Sequence, residues 1–326
     1  MVDRDALSAQ LSRPLTETSF AALGPVSRGK VRDSYVAGGR RFIVTTDRIS
    51  AFDRVLGTIP FKGQVLNRVA AFWFERTRGI AENHMIGCPD PAVMEVVDCT
   101  PLPVEMVVRA YLTGSTSTSI WTHYQKGARV FCGTPLPDGM RKHQKLARPI
   151  LTPSTKAEHG DHDVSASREE ILAMGRIPAA EFDEIARMSF ALFEAGQRHC
   201  AANGLILVDT KYEFGKTRDG RIVVIDEVHT PDSSRFWQAA TYDARFAAGE
   251  EPEGLDKEYV RVWLKSERGF TGDGPIPEIP GEIRVEAARR YIAACEQITG
   301  EAFVPDAEEP LSRIARNLGL GSGGAR

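Results

Sequence analysis

Cysteine is scarce in this chain and scattered along it. Cys88, Cys99, Cys132, Cys200 and Cys295 are odd in number and none forms a CxxC pair. That speaks against a disulfide framework or a zinc ribbon, and for reduced thiols in the cytoplasm. No apolar run approaches the ~20 residues that cross a bilayer, so no membrane partner is expected. The opening MVDRDALSAQLSRPLTETSF lacks the apolar core of a signal peptide. Charge of one sign is not in excess. Forty-one basic residues meet 44 acidic ones, for a formal charge of −3 and no dense basic run, so nucleic acid is not an expected partner. The motifs GxSxG and HExxH are absent, which removes several common hydrolase readings. What is present is a folded composition, 42% hydrophobic and 26% charged over 326 residues. That length is enough for one large domain or two cooperating lobes.

The first third reads as strands and turns. A strand over 31–36 meets Gly38-Gly39, a hairpin signal, and continues over 41–46. A helix is expected from about Gln64, because Val65, Val69, Phe72 and Trp73 share one helical face. Strands follow over 92–99 and 104–109, then a helix over 115–125. Residues 141–166, rich in Pro, Lys, His and Asp, read as a long functional loop. Phe182, Ile185, Met188, Phe190 and Phe193 mark one amphipathic helix from Pro178 to Ala202, ended by Asn203-Gly204. Strands at 205–209 and 222–225 are joined by the turn 216–220, and the remainder reads as helical, broken over 269–281. Strands do not alternate strictly with helices, so an α+β fold is expected. It would have a strand-rich lobe over 1–110, a mixed α/β lobe over 111–318 and a flexible tail over 319–326.

Gly24 to Lys30 has the GxxxxGK spacing of a phosphate loop. However, Val31 stands where Ser or Thr would hold magnesium, and a strand follows in place of a helix. A turn of this kind could still cover nucleotide phosphates with Lys30 and Arg32; a solvated basic turn would read the same. Two acidic strand ends say more. In Leu205-Ile-Leu-Val-Asp-Thr-Lys-Tyr-Glu213, period 2 puts Asp209, Lys211 and Glu213 on one face. Burying them is costly unless they pair or hold a metal. Asp226-Glu227 ends the next strand, and two neighbouring carboxylate-ended strands suit magnesium, which takes few carboxylates plus substrate phosphates. Arg235 beside Ser233, and Arg109 ahead of Ser115, suit phosphate or carboxylate recognition, although an arginine packed at a lobe boundary is the alternative. His159-Gly-Asp-His-Asp163 has no third spaced His or Cys for zinc and looks better suited to an anionic substrate.

Together these segments resemble one family closely, the SAICAR synthetases (phosphoribosylaminoimidazole-succinocarboxamide synthases). The matching strings are RGKVRDSY (28–35), TTDRISAFD (45–53), KGQVLNRVAAFWF (62–74) and VEMVVRAYLTGS (104–115). They continue with PILTPSTKAEHGDHDVS (149–165), GLILVDTKYEFG (204–215) and DEVHTPDSSRFW (226–237). They run in the family's order over about residues 20–270, in what looks like its longer, yeast-like form. The resemblance implies a nucleotide lobe folded over an α/β lobe with ATP between them. It also implies ATP-dependent joining of a carboxyaminoimidazole ribonucleotide to L-aspartate, with magnesium, through an acyl phosphate. A carboxylate is a poor electrophile, and phosphoryl transfer supplies a leaving group while asking the protein mainly for positioning and charge neutralisation. Carried over by residue, Gly29, Lys30 and Arg32 would meet the ATP phosphates. Glu105 and Met106, on an edge strand, would meet adenine or ribose. Arg109, Ser115, Ser233 and Arg235 would hold the ribonucleotide phosphate, and Lys156, Asp161 and Asp163 would reach substrate from the loop. Lys211 would sit at the reacting groups and Asp209 would orient it or act on the aspartate amine. Glu213, Asp226 and Glu227 would place magnesium. A monomer is expected ahead of a dimer. Two other classes share these features. A kinase would show an HRD loop and a DFG, and neither is present. A nucleotide-sensing module would have lost Lys211, Glu213 or Glu227, and all are present.

Overall fold

A computed structural model of the chain describes residues 2–116, 118–156, 164–255 and 257–321. After helix α1 (Arg4–Gln10), strands β1 (Val26–Arg28), β2 (Arg32–Ala37) and β3 (Arg40–Thr45) form a meander. The β2–β3 turn is Gly38-Gly39, with φ of 61° and 79°, the left-handed pair that a two-residue hairpin requires and that glycine supplies without strain. A small hairpin, β4 (Arg48–Ala51) with β5 (Arg54–Thr58), leads into α2 (Lys62–Thr77), and β6 (Met85–Asp90) and β7 (Val93–Val97) complete a five-stranded antiparallel sheet of order β1-β2-β3-β7-β6. Val65, Val69 and Trp73 are fully buried on α2, as their spacing predicts.

The second sheet is built on β8 (Thr100–Leu112). Helix α3 (Ile120–Gln125) follows, then the short pair β9 (Val130–Phe131) and β10 (Thr134–Pro135), β11 (Gln144–Leu151) and β12 (Ser154–Thr155). Helices α4 (Arg168–Ala173) and α5 (Ala179–Ala202) precede β13 (Leu205–Lys216), β14 (Ile222–Ile225) and β15 (Ser234–Gln238). The order is β11-β8-β13-β14, with β12 also on β8 and β15 also on β13. Four helices close the chain: α6 (Ala239–Ala248), α7 (Glu258–Arg268), α8 (Gly281–Thr299) and α9 (Pro310–Asn317). One core of buried side chains joins α2, α5, α8 and the second sheet. Ile314 and Ala315 of α9 return to pack with Leu15, Phe20, Tyr35 and Val44 beside the first sheet.

The architecture is the expected α+β, with differences in detail. The two sheets part between Val97 and Thr100, ahead of residue 110. The helix expected from 115 starts at Ile120, because Ser119 caps it and accepts from the Thr122 amide. Much of 141–166 is strand: β11 pairs with β8 on either side of a register shift between Lys145 and Ile150, where Pro149 sits at an edge that tolerates a missing donor. β15 lies within the stretch read as helical. Phe190 is exposed, unlike its neighbours in the α5 stripe.

Candidate active site

The ladder between β8 and β13 sets the geometry. Asp209 faces Arg109, Lys211 faces Val107 and Glu213 faces Glu105, so alternate residues of both strands share one face. The charges on it pair. Lys211 Nζ donates to Glu105 Oε1 at 2.8 Å and to Glu213, and Lys156 also donates to Glu213. Burial works against the Lys211 ammonium, yet Glu213 and Glu105 outweigh it and hold its pKa well above the usual lysine range. Burial would likewise raise Glu213, but Lys211 and Lys156 hold it well below the carboxylate range.

Asp209 is clamped by two arginines: Arg235 Nη1 donates to its Oδ2 at 2.6 Å and Arg109 Nη1 at 3.2 Å. Arg109 Nε also donates to Thr152 Oγ1 at 2.9 Å, which fixes the guanidinium. Asp209, Arg109 and Arg235 line a cavity of about 210 Å³ together with Lys211, Thr116, Ser119, Ser233, Asp232, Lys257 and Arg261. Five basic side chains against two carboxylates make it an anion site, and the guanidinium fork matches phosphate or carboxylate geometry. Burial lowers the Lys257 pKa to about 8, with Asp232 opposing and Arg261 reinforcing the shift. Asp232 is itself pinned by Lys62 Nζ and by the Tyr291 hydroxyl, each at 2.6 Å.

The β1–β2 hairpin approaches from the first sheet. Its turn is closed by the Gly29 amide donating to the Arg32 carbonyl at 2.8 Å. Arg48 holds it from below, donating to the carbonyls of Lys30 (3.0 Å) and Gly29 (3.1 Å) and to Asp33 (2.8 Å). Lys30 Nζ meets Asp53 at 2.5 Å in an exposed pair. Arg32 spans the two sheets, donating to Asp226 Oδ1 at 2.6 Å and to Glu227. Asp226 has a φ of 67°, a left-handed conformation that costs a non-glycine residue of order 1–3 kcal/mol and recurs at functional sites. Burial raises its pKa to about 6; Arg32 opposes this, and Glu213 and Glu227 add to it. Glu227 is the more committed of the two, since it also accepts from Thr230 Oγ1 at 2.7 Å.

Among the described residues no group of three or more His, Cys, Asp and Glu side chains could hold a metal alone. Magnesium does not need such a cage: it takes one or two carboxylates and completes its shell with water and substrate phosphates. Asp226, just past the end of β14, and Glu213, which faces Ile225 within β13, are hard-oxygen donors whose charges crowd each other, and they fit that mode.

Two expected roles need correction. β8 lies between β12 and β13, not at an edge, so the backbone at Glu105 and Met106 is committed to the ladder. Met106 is fully buried in the core and the Glu105 carboxylate accepts from Lys211. Asp209 orients Arg109 and Arg235 and does not bond Lys211. Ser115 donates to Glu258, which pairs with Arg261 at 3.0 Å. Ser233 lines the cavity and its carbonyl accepts from the Lys211 amide at 3.0 Å. Asp161 and Asp163 lie outside the described residues. Lys257, Arg261, Lys62, Asp232 and Arg48 escaped the sequence reading; Arg48, Lys62 and Asp232 do fall inside the strings TTDRISAFD, KGQVLNRV and DEVHTPDSSRFW, a signal that could have found them. A larger groove of about 860 Å³ between α2, β6 and residues 299–304 is lined mainly by apolar atoms and lacks the basic cluster that an anionic substrate requires.

Residues 25–274 match the family model of SAICAR synthetase. The chain is 50% identical over 306 residues to the phosphoribosylaminoimidazole-succinocarboxamide synthase of Legionella pneumophila (strain Lens), covering 93% of this chain and 97% of that one. It is 49% identical over 313 residues to the chloroplastic synthase of Arabidopsis thaliana, covering 94% and 76%. Among solved structures, the SAICAR synthase of Saccharomyces cerevisiae complexed with SAICAR superposes with a TM-score of 0.75 at 30% identity, over 89% of this chain and 100% of that one. The chain therefore belongs to the SAICAR synthetase family, ATP-dependent ligases that join a carboxyaminoimidazole ribonucleotide to L-aspartate in purine biosynthesis.

Proposed function

We propose that this cleft runs the ligation through an acyl phosphate, with its two ends dividing the substrates. The observation that carries this reading is the polarity of one strand face. Asp209 and the arginine-rich cavity lie at one end, the crowded carboxylates Glu213 and Asp226 at the other, and Lys211 between them. The ribonucleotide phosphate would bind Arg109, Arg235 and Arg261, with Ser233, Thr116 and Ser119 as hydroxyl donors. The ATP phosphates would lie under the Gly29–Arg32 hairpin, with Lys30 and Arg32 as counter-charges, as in other positioning-dominated phosphoryl transfers. Asp226 and Glu213 would hold magnesium, which when bound neutralises phosphate charge and orients the transferring group.

The chain's own groups then act by charge and placement. A carboxylate oxygen of the ribonucleotide attacks the γ-phosphorus and ADP leaves. The aspartate amine attacks the acyl carbon, loses a proton, and phosphate departs carrying the carboxylate oxygen. Lys211, held protonated by Glu105 and Glu213, serves as a cation beside the transferring phosphoryl group and not as a base. Asp209 presents Arg109 and Arg235 in fixed orientation. Lys156 donates to Glu213 and would be available to substrate were that carboxylate to hold magnesium. The test is oxygen tracing. With the substrate carboxylate labelled with ¹⁸O, one label should appear in inorganic phosphate per amide formed; unlabelled phosphate would refute the acyl phosphate.

A further inference from the structure

The anion cavity has two walls that come from distant parts of the chain. One is the segment 113–119 after β8, which supplies Thr116 and Ser119; the other leads into α7 and supplies Lys257 and Arg261. A single imidazole touches both. His143 Nδ1 lies 2.9 Å from Thr113 Oγ1, at the base of the first wall. Its Nε2 lies 2.9 Å from Glu251 Oε2, ahead of the second. The latter contact has the distance of an ion pair without the alignment of a hydrogen bond, and Nε2 has no other partner among the described residues. A carboxylate only accepts, so in the neutral ring Nε2 carries the hydrogen and Nδ1 accepts from the Thr113 hydroxyl.

His143 is unusually constrained for a residue outside the cavity lining. Its φ is 67°, its amide donates to the Leu112 carbonyl at 2.7 Å, and its carbonyl accepts from the Tyr242 hydroxyl at 2.8 Å. Thr113 and His143 are both buried. The next residue, Gly114, has a φ of 112°, and a Cβ there would lie 2.3 Å from the Ser119 Cβ and 3.5 Å from Arg235 Nη2. Gly114, next to Thr113, is therefore packed closely against Ser119 and near Arg235. A shift at Thr113 has no slack to absorb it before it reaches the cavity.

We propose that His143 is a positioning residue for the anion cavity, joining its two walls through Thr113 and Glu251 and thereby setting affinity for the phosphate of the ribonucleotide. This rests on the reading of that cavity as the phosphate subsite. Thr113→Val removes the hydroxyl at nearly constant volume. His143→Asn keeps a group at the Nδ1 position and suits the left-handed backbone, but gives up the reach to Glu251. We expect Thr113→Val to raise the KM for the ribonucleotide about three- to tenfold, the worth of one neutral hydrogen bond, with kcat and the KM for ATP unchanged. His143→Ala should do at least as much, and His143→Asn should recover part of the loss. Equal rises in both KM values, or no rise in Thr113→Val, would overturn the proposal. Arg235→Ala, assayed alongside, separates the two levels. If it raises the ribonucleotide KM while Thr113→Val does not, the subsite stands and the joint falls; if Arg235→Ala itself leaves that KM unchanged, the subsite reading has failed.

Discussion

Lys257 should make ribonucleotide binding take up protons at mildly alkaline pH. Burial holds its pKa at about 8 in the ligand-free protein, so at pH 8 roughly half the molecules carry the ammonium charge. A phosphate seated among Lys257, Arg261 and Arg235 would return the group to the ordinary range near 10.4 or above, and binding at pH 8 should take up about 0.5 proton. Between pH 7 and pH 9 the charged fraction of the free protein falls from about 0.9 to about 0.1, so affinity should drop roughly ninefold, or ~1.3 kcal/mol. The sign for stability is the reverse. A lysine with a depressed folded pKa leaves the unfolded chain holding more protons between pH 8 and about 10.4, so this group makes the ligand-free fold more stable as pH rises through that window. Titration calorimetry with the ribonucleotide alone, in two pH 8 buffers of different ionisation enthalpy, reads the proton count directly. Lys257→Met should abolish the uptake and flatten the affinity profile, and Lys257→Arg should keep affinity high at pH 9. Equal uptake in wild type and Lys257→Met would mean that the proton goes to another group.

Glu213→Gln keeps the side-chain volume but removes the charge that Lys211 and Lys156 share. Turnover should fall at least ~100-fold, as when a preorganised electrostatic contact is lost. The circular dichroism spectrum should be retained and the magnesium concentration for half-maximal rate should rise; an unchanged magnesium dependence would exclude Glu213 as a ligand. Arg313→Leu strands a buried Asp90, whose carboxylate then keeps, among the described residues, the Ala92 amide and the Asn317 side chain at 2.8 Å each. Stability in urea should fall by roughly 3–5 kcal/mol, and adding Asp90→Asn should recover part of it. No loss would mean that α9 is not fastened through this pair.

How far the site could be read in advance depended on whether its contacts were local in sequence. Asp209, Lys211 and Glu213 lie on one strand, and period 2 alone puts them on one face, as the β8–β13 ladder bears out. β13 and β14 were legible because Leu205-Ile-Leu-Val and Ile222-Val-Val-Ile are unbroken apolar runs. β15 was not, because a five-residue strand opened by Ser234 and Arg235 and closed by Gln238 carries only Phe236 and Trp237 into the core, too short an apolar run to read as a strand. β11 hid behind Lys145, Arg148 and Pro149, residues an edge strand accepts. Which carboxylate Arg32 would meet depended on a bridge 194 residues long in sequence. The left-handed turn at Asp226 and the pinning of Asp232 by Lys62 are likewise tertiary facts that no local pattern encodes. The edge-strand placement of Glu105 and Met106 failed for the same reason, since only the pairing of β12 shows that β8 has no free edge there.

One cleft of this protein should consume ATP only to join two other substrates. Release of ADP from the purified protein with Mg-ATP, the carboxyaminoimidazole ribonucleotide and L-aspartate, with each omitted in turn, tests it most directly. ADP formation should require all three and equal the amide product mole for mole. ADP formation that continues undiminished without aspartate, or without the ribonucleotide, would contradict it.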